Sequence, residues 1–140
     1  MLVEDLKRIY MTDTGRLNRM DYFKYSVILG IAAIIVITIL EEIFKDDFGG
    51  MGLFGKIVYL AVSLASLIPA YFLDIRRLHD CGYDVTLARV NFVLCANFCV
   101  PSFDVNTDTP FNTIVSLAVL LLGAFILFKP GTPGENQYGV

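Results

Sequence analysis

Charge is scarce in this 140-residue chain: 18% of its residues are Asp, Glu, Lys or Arg, against about a quarter in an ordinary soluble domain. Histidine occurs once, at His79, and none of the tight His and Cys spacings of a zinc site is present. The three cysteines supply no disulfide framework. Cys95 and Cys99 lie four apart in an apolar stretch, where a helix holds them on one face with near-parallel Cβ directions that suit a bridge poorly. Cys81 stands alone in a polar stretch, so all three read as reduced thiols. A glycine-rich nucleotide loop, a nucleophile elbow and a nucleic-acid motif are all missing. So is the apolar–polar alternation of a membrane β-barrel.

Apolar residues are abundant instead. They make up 56% of the chain, with a mean hydropathy of +0.64, more than one small core can bury. Lipid is the natural solvent for the remainder. With charged residues taken as punctuation, four uncharged segments stand out: 25–40, 57–73, 90–103 and 109–128. A crossing helix needs about 20 residues. The second and fourth segments reach that length directly. The first reaches it if Tyr22 and Phe23 join and Lys24 snorkels to the headgroups, and the third if it starts near Val85 and Arg89 snorkels. Asn91 and Asn97 interrupt the third, which also admits a half-buried helix inside the bundle. In lipid the backbone must satisfy its own hydrogen bonds, so such runs form helices. The expected fold is an all-α integral membrane protein of one domain, 1–140. It has four transmembrane helices near 22–43, 57–73, 85–103 and 109–128, short loops, and a preceding N-terminal amphipathic segment. Pro69 removes a backbone donor and should bend or break the second span. Gly30, Ala32 and Ala33, and later Gly123 and Ala124, offer small-residue faces for close helix packing. Residues 48–55 read as a flexible glycine-rich turn.

The first span is preceded by four acids and followed by no small-residue cleavage site, so it reads as a retained anchor. Basic residues give the orientation. Nine of the eleven (Lys7, Arg8, Arg16, Arg19, Lys24, Arg76, Arg77, Arg89 and Lys129) fall on one side of the predicted spans, and only Lys45 and Lys56 fall on the other. The positive-inside rule puts both termini and the 74–89 loop in the cytosol.

Three polar stretches lie on that side, 14–25, 74–83 and 128–139, and they contain Gly15-Arg16-Leu17-Asn18-Arg19-Met20-Asp21-Tyr22, then Arg76-Arg77-Leu78-His79-Asp80-Cys81-Gly82, then Pro130-Gly131-Thr132-Pro133-Gly134-Glu135-Asn136-Gln137-Tyr138-Gly139. As an ordered set they resemble the domain of unknown function 805 family of small bacterial inner-membrane proteins. The resemblance covers nearly the whole chain. It implies a multi-span protein in the bacterial inner membrane and supplies no activity. One departure is that Tyr83-Asp84-Val85-Thr86 lacks the small residue and tryptophan that often follow the glycine. The chain has no Trp at all, so that interfacial anchor is either missing or replaced by Tyr83.

Two readings of these stretches compete. In the plainer one, Arg16, Arg19 and Lys24 meet lipid phosphates, Arg76 and Arg77 pair with Asp74 and Asp80, and His79 bonds a backbone carbonyl or a carboxylate. In the sharper one, two Arg-containing stretches face one pocket for phosphate or carboxylate, with the tail folded over it. The candidate binding residues are then Arg16, Arg19, Asp74, Arg76, Arg77, His79, Asp80, Asn136 and Tyr138. Acceptors Asp21, Asp74, Asp80 and Glu135 are expected to pair across the motifs with the arginines. His79 and Asp80 are the candidates for a catalytic pair. Neither a metal nor a cofactor is expected. The expected partners are membrane lipids, and a protein or a second copy of the chain; nucleic acid is not among them. The leading reading is a membrane protein whose cytosolic face binds a partner or an anionic group such as a lipid headgroup. A membrane-bound enzyme and an oligomeric channel or transporter are the alternatives. No ionisable residue is expected in a span interior, which argues against ion coupling.

Overall fold

A computed structural model describes residues 2–45, 51–99 and 110–138, and among them the fold is helical with no strand. The order is α1 (Leu2–Tyr10), α2 (Arg19–Phe44), α3 (Leu53–Asp80), α4 (Thr86–Ala96) with a 3₁₀ turn at Asn97–Cys99, and α5 (Pro110–Phe128). Three of these, α2, α3 and α5, are long and apolar enough to cross a membrane. None of the most apolar window of α2 is buried inside the protein (0%). Such a helix has lipid rather than protein as its solvent.

The sequence explains the helix limits. Asn18 caps α2: its side chain accepts the Asp21 N–H at 2.8 Å and donates to the Asp21 carboxylate at 2.7 Å, which satisfies a free first-turn donor. α3 ends where Gly82 takes φ +80, a left-handed conformation that glycine adopts without strain. α3 continues as one helix through Pro69, so the proline makes no break. One turn earlier Ser66 directs its hydroxyl to the Ser63 carbonyl at 2.7 Å.

Two expectations about segments change. The loop expected at 74–89 shrinks to 81–85, because α3 keeps its helical bonds to Asp80 and α4 begins at Thr86. The polar residues 74–80 lie on a helix whose Asp74, Arg77, Leu78 and His79 are buried, so the charges there mark an inward face and not a loop. The third segment forms fourteen helical residues, about 22 Å of axis, short of the hydrocarbon thickness of about 30 Å. Its expected remainder, 100–103, lies outside the described residues. Of the expected glycine-rich turn, residues 48–50 lie outside them too, whereas α3 already begins at Leu53; Gly55 falls within α3, where a Cβ would press on Phe44.

α2 and α3 run antiparallel, tied at one end by a 3.0 Å bond from the Leu17 N–H to the Arg76 carbonyl. Phe44 and Phe54 meet edge to face at the other end. α4 and α5 are likewise antiparallel: Tyr83 meets Phe125 near the start of α4, and Asn97 donates to Asn112 at 3.3 Å near the start of α5. Consequently α3 and α5 both end at the same pole as the start of α2. The buried apolar core sits at that pole, built from Leu17, Tyr22, Leu73, Ile75, Leu78, Ala88 and Ile126. The middle of the bundle is looser. A Cβ built at Gly30 or at Gly123 would meet nothing within 4 Å, so these small residues border open space instead of a close helix contact.

Candidate functional site

Asp80, the last residue of α3, is the centre of the motif pole. Arg16 approaches it with Nε at 3.1 Å and Nη2 at 3.0 Å from one carboxylate oxygen. Arg77, one turn earlier on the same helix, donates to the other oxygen. Both guanidinium groups have further partners. Arg16 also donates to the Thr132 carbonyl at 2.6 Å and to the Gly134 carbonyl. Arg77, with none of its side chain exposed (0%), donates to the Ile126 carbonyl at 3.0 Å and to the Lys129 carbonyl. These are carbonyls of the last turn of α5 and the chain just after it. A buried Arg thus neutralises one helix-end carboxylate and covers free carbonyls of another helix.

The tail closes over this pair. Thr132 donates to the Asp80 carbonyl through its N–H at 2.7 Å and its hydroxyl at 3.0 Å. Asn136 donates to the His79 carbonyl at 2.9 Å and to the Thr132 hydroxyl oxygen at 2.7 Å, and its own oxygen accepts the Tyr138 N–H at 2.9 Å. Tyr138 lies flat on the His79 ring, with centroids 3.8 Å and planes 10° apart. Gly131 passes so close to Asp80 that a Cβ there would overlap the carboxylate. Cys81 is buried beneath the tail, its thiol 3.7 Å from the Lys129 carbonyl, and that burial pushes the thiol pKa up.

The structure therefore brings Arg16, Arg77, His79, Asp80, Asn136 and Tyr138 into one network and leaves three candidates outside it. Arg76 turns the other way and donates to the carbonyls of Arg8 and Ile9 at 3.2 and 3.1 Å, which fastens the end of α1 to α3. Arg19 is exposed and makes no ion pair among the described residues. Asp74 is buried (6% exposed) and pairs with no arginine; it accepts the Tyr22 hydroxyl at 2.8 Å and the Asn91 amide at 2.7 Å. The acceptors expected to serve the arginines mostly serve other groups. Asp21 is taken by Asn18, and Glu135 is exposed with no ion pair among the described residues.

Sequence reasoning missed Tyr22, Asn91, Gly131 and Thr132 as members of these arrangements. Asn91 carried a usable signal, since an amide in an apolar run needs a partner. Asp74 lies within α3 among buried neighbours, one residue past the end of the uncharged segment 57–73. No cluster of three or more potential metal ligands occurs among the described residues.

Beside the network a groove of about 490 Å³ is lined by Asn18, Arg19, Met20, Arg77, Asp80 and Pro130. Arg77 and Asp80 are committed to each other at its base, so Arg19 is the cation it presents to solvent.

The chain matches the family described as Protein of unknown function (DUF805) over residues 10–140, and it belongs to that family. No curated protein and no solved structure matches it.

Proposed function

We propose that this DUF805 member is a four-span protein of the bacterial inner membrane, with both termini in the cytosol, that holds an anionic lipid headgroup in the groove at Arg19. The observation that carries the reading is the contrast between arginines. Arg16 and Arg77 are neutralised within the protein, whereas Arg19 stands exposed on the groove beside Met20. Lys24 and Phe23, also exposed, continue the same basic and apolar face along α2. An interfacial arginine flanked by exposed apolar side chains suits a phosphate group with acyl chains behind it.

The crossing count is supported by parity. α3 and α5 finish at one pole, so the chain between them has to return to the other. α4 starts at that first pole and its 3₁₀ turn reaches the beginning of α5. The orientation rests on nine basic residues at the motif pole against two at the far end. Reporter fusions after residue 140 or within 81–85 are expected to read as cytosolic, and fusions within 46–50 as external. The opposite pattern would reverse the orientation.

The test of the groove is a titration of dioctanoylphosphatidylglycerol into the protein in neutral detergent, read by thermal unfolding. Arg19→Ala should weaken binding about fivefold, as expected for about 1 kcal/mol per basic residue at a lipid surface. Equal binding by the variant, or by the phosphocholine analogue, would remove the groove from consideration. The network itself gives the enzyme alternative little support: both Asp80 oxygens are engaged by arginines, and His79 is covered by Tyr138.

A further inference from the structure

Asp74 is a carboxylate inside the helical bundle without a cation. Its two oxygens are met by neutral donors, Tyr22 and Asn91, which occupy two of about four acceptor positions on a carboxylate. Arg77, one turn along α3, directs its guanidinium to Asp80 and to the carbonyls of Ile126 and Lys129. An ionised carboxylate held this far from water without a counter-charge is costly.

Asp74 also borders empty space. A cavity of about 280 Å³ between α2, α3 and α4 has Asp74, Tyr22, Asn91, Ser26 and Ser66 as its polar lining. Gly30, Ala33 and Ala70 provide its width, and a Cβ at Gly30 would meet nothing. A second cavity of about 270 Å³ shares Leu29, Ala33 and Ser66 with the first and continues between α2 and α3 to Val36, Ile37 and Val62. Apart from Ser66 its lining is aliphatic. Together they make a groove that is anionic at one end and apolar along the rest. From Ser26 to Ile37 it follows three turns of α2, about 16 Å.

We propose that this groove binds a single-chain cationic amphiphile, with a primary ammonium group against Asp74 and its alkyl chain lying between α2 and α3 along Ala33 and Ile37. The chemistry selects the class. The ammonium supplies the missing counter-charge, and its donors can be met by Asp74 and by the Ser26 hydroxyl oxygen beside Tyr22. A phosphate-headed lipid would meet the carboxylate with like charge. The site is separate from the Arg19 groove and does not rest on it.

The experiment uses the full chain in phosphatidylcholine nanodiscs, whose lipid carries no primary amine, with dodecylammonium, dodecanol and dodecyl phosphate as probes. Dodecylammonium should raise the thermal midpoint by at least about 3 °C at saturating concentration, and the other two should not. Asp74→Asn, which keeps the side-chain shape, should abolish the rise. Ala33→Phe, which fills the apolar part and leaves Asp74 intact, should reduce it, so the proposal stays testable if the Asn variant fails to fold. An equal rise with dodecanol would reduce the site to non-specific apolar binding and overturn the proposal. A rise retained in both variants, or no rise with the wild-type chain, would overturn it as well.

Discussion

Replacing Arg77 by alanine should cost about 3–5 kcal/mol of stability, the usual loss when one member of a buried ion pair is removed. The cost has three sources. Asp80 loses one of its two cations, the Ile126 and Lys129 carbonyls lose their donors, and a fully enclosed cavity replaces the side chain. Lysine restores the charge without the planar fork, so Arg77→Lys should recover only part of the loss. Asn136→Ala should cost less by itself, since it removes bonds to the His79 carbonyl and to Thr132. The double variant is the informative one. Arg77 and Asn136 hold the same tail, so the combined loss should fall short of the sum by about 0.5–3 kcal/mol. Far-UV circular dichroism during unfolding in mixed micelles provides the readout, because the chain has no tryptophan to follow. Strictly additive losses would mean that the tail and the Arg77 pair are separate structures.

The second large effect is expected at Gly131. An added methyl group would overlap a carboxylate that two arginines hold in place, so neither partner can yield without breaking an ion pair. Gly131→Ala should therefore lift the tail while leaving the helices folded. Cys81 reports the event, because its thiol is covered by the tail and its pKa is raised by burial. Thiolate is the reactive form, so the docked state reacts slowly with maleimide at neutral pH. In a Cys95→Ser, Cys99→Ser background, Gly131→Ala should speed Cys81 alkylation at least about tenfold, the change produced by about 1.4 kcal/mol of lost docking free energy. Gly52→Ala, where a Cβ meets nothing, serves as the control at the other end of the bundle. An unchanged Cys81 rate in Gly131→Ala would show that the tail does not cover the thiol.

How much of this was legible in the sequence depended on what each residue's neighbours revealed. Long uncharged runs located α2, α3 and α5, because backbone in lipid has no alternative to the helix. Arg16, Arg77 and Asp80 could be expected to gather at one pole, since guanidinium groups beside lipid need acceptors. Their detailed partners could not be read. Arg77 is satisfied mainly by backbone carbonyls of α5, and every residue has a carbonyl, so composition carries no trace of the pairing. Asp74 misled for a different reason. A charge at the edge of an apolar run reads as the start of a loop, yet here the helix continues for six further residues and turns the carboxylate inward. Only the amide of Asn91, seventeen positions later, hinted at a polar partner in the interior. Gly131 was visible only as part of the tail motif; its constraint is the proximity of Asp80, a contact that sequence separation conceals.

The Arg16 bonds have a consequence for the order of assembly. Arg16 reaches Asp80 across 64 positions and the tail carbonyls across 116 and 118. Its first partner is synthesised only after α2 and α3, and its last partners only after α5. Contacts of such sequence separation are slow to form, because the intervening chain must be closed before they contribute. The motif pole is therefore completed last, once each helix has reached its register. A chain in which α5 is not in place leaves Arg77 without the Ile126 and Lys129 carbonyls, and Arg16 without those of Thr132 and Gly134. The junction is therefore complete only when α3, α5 and the tail have all met Arg16 and Arg77.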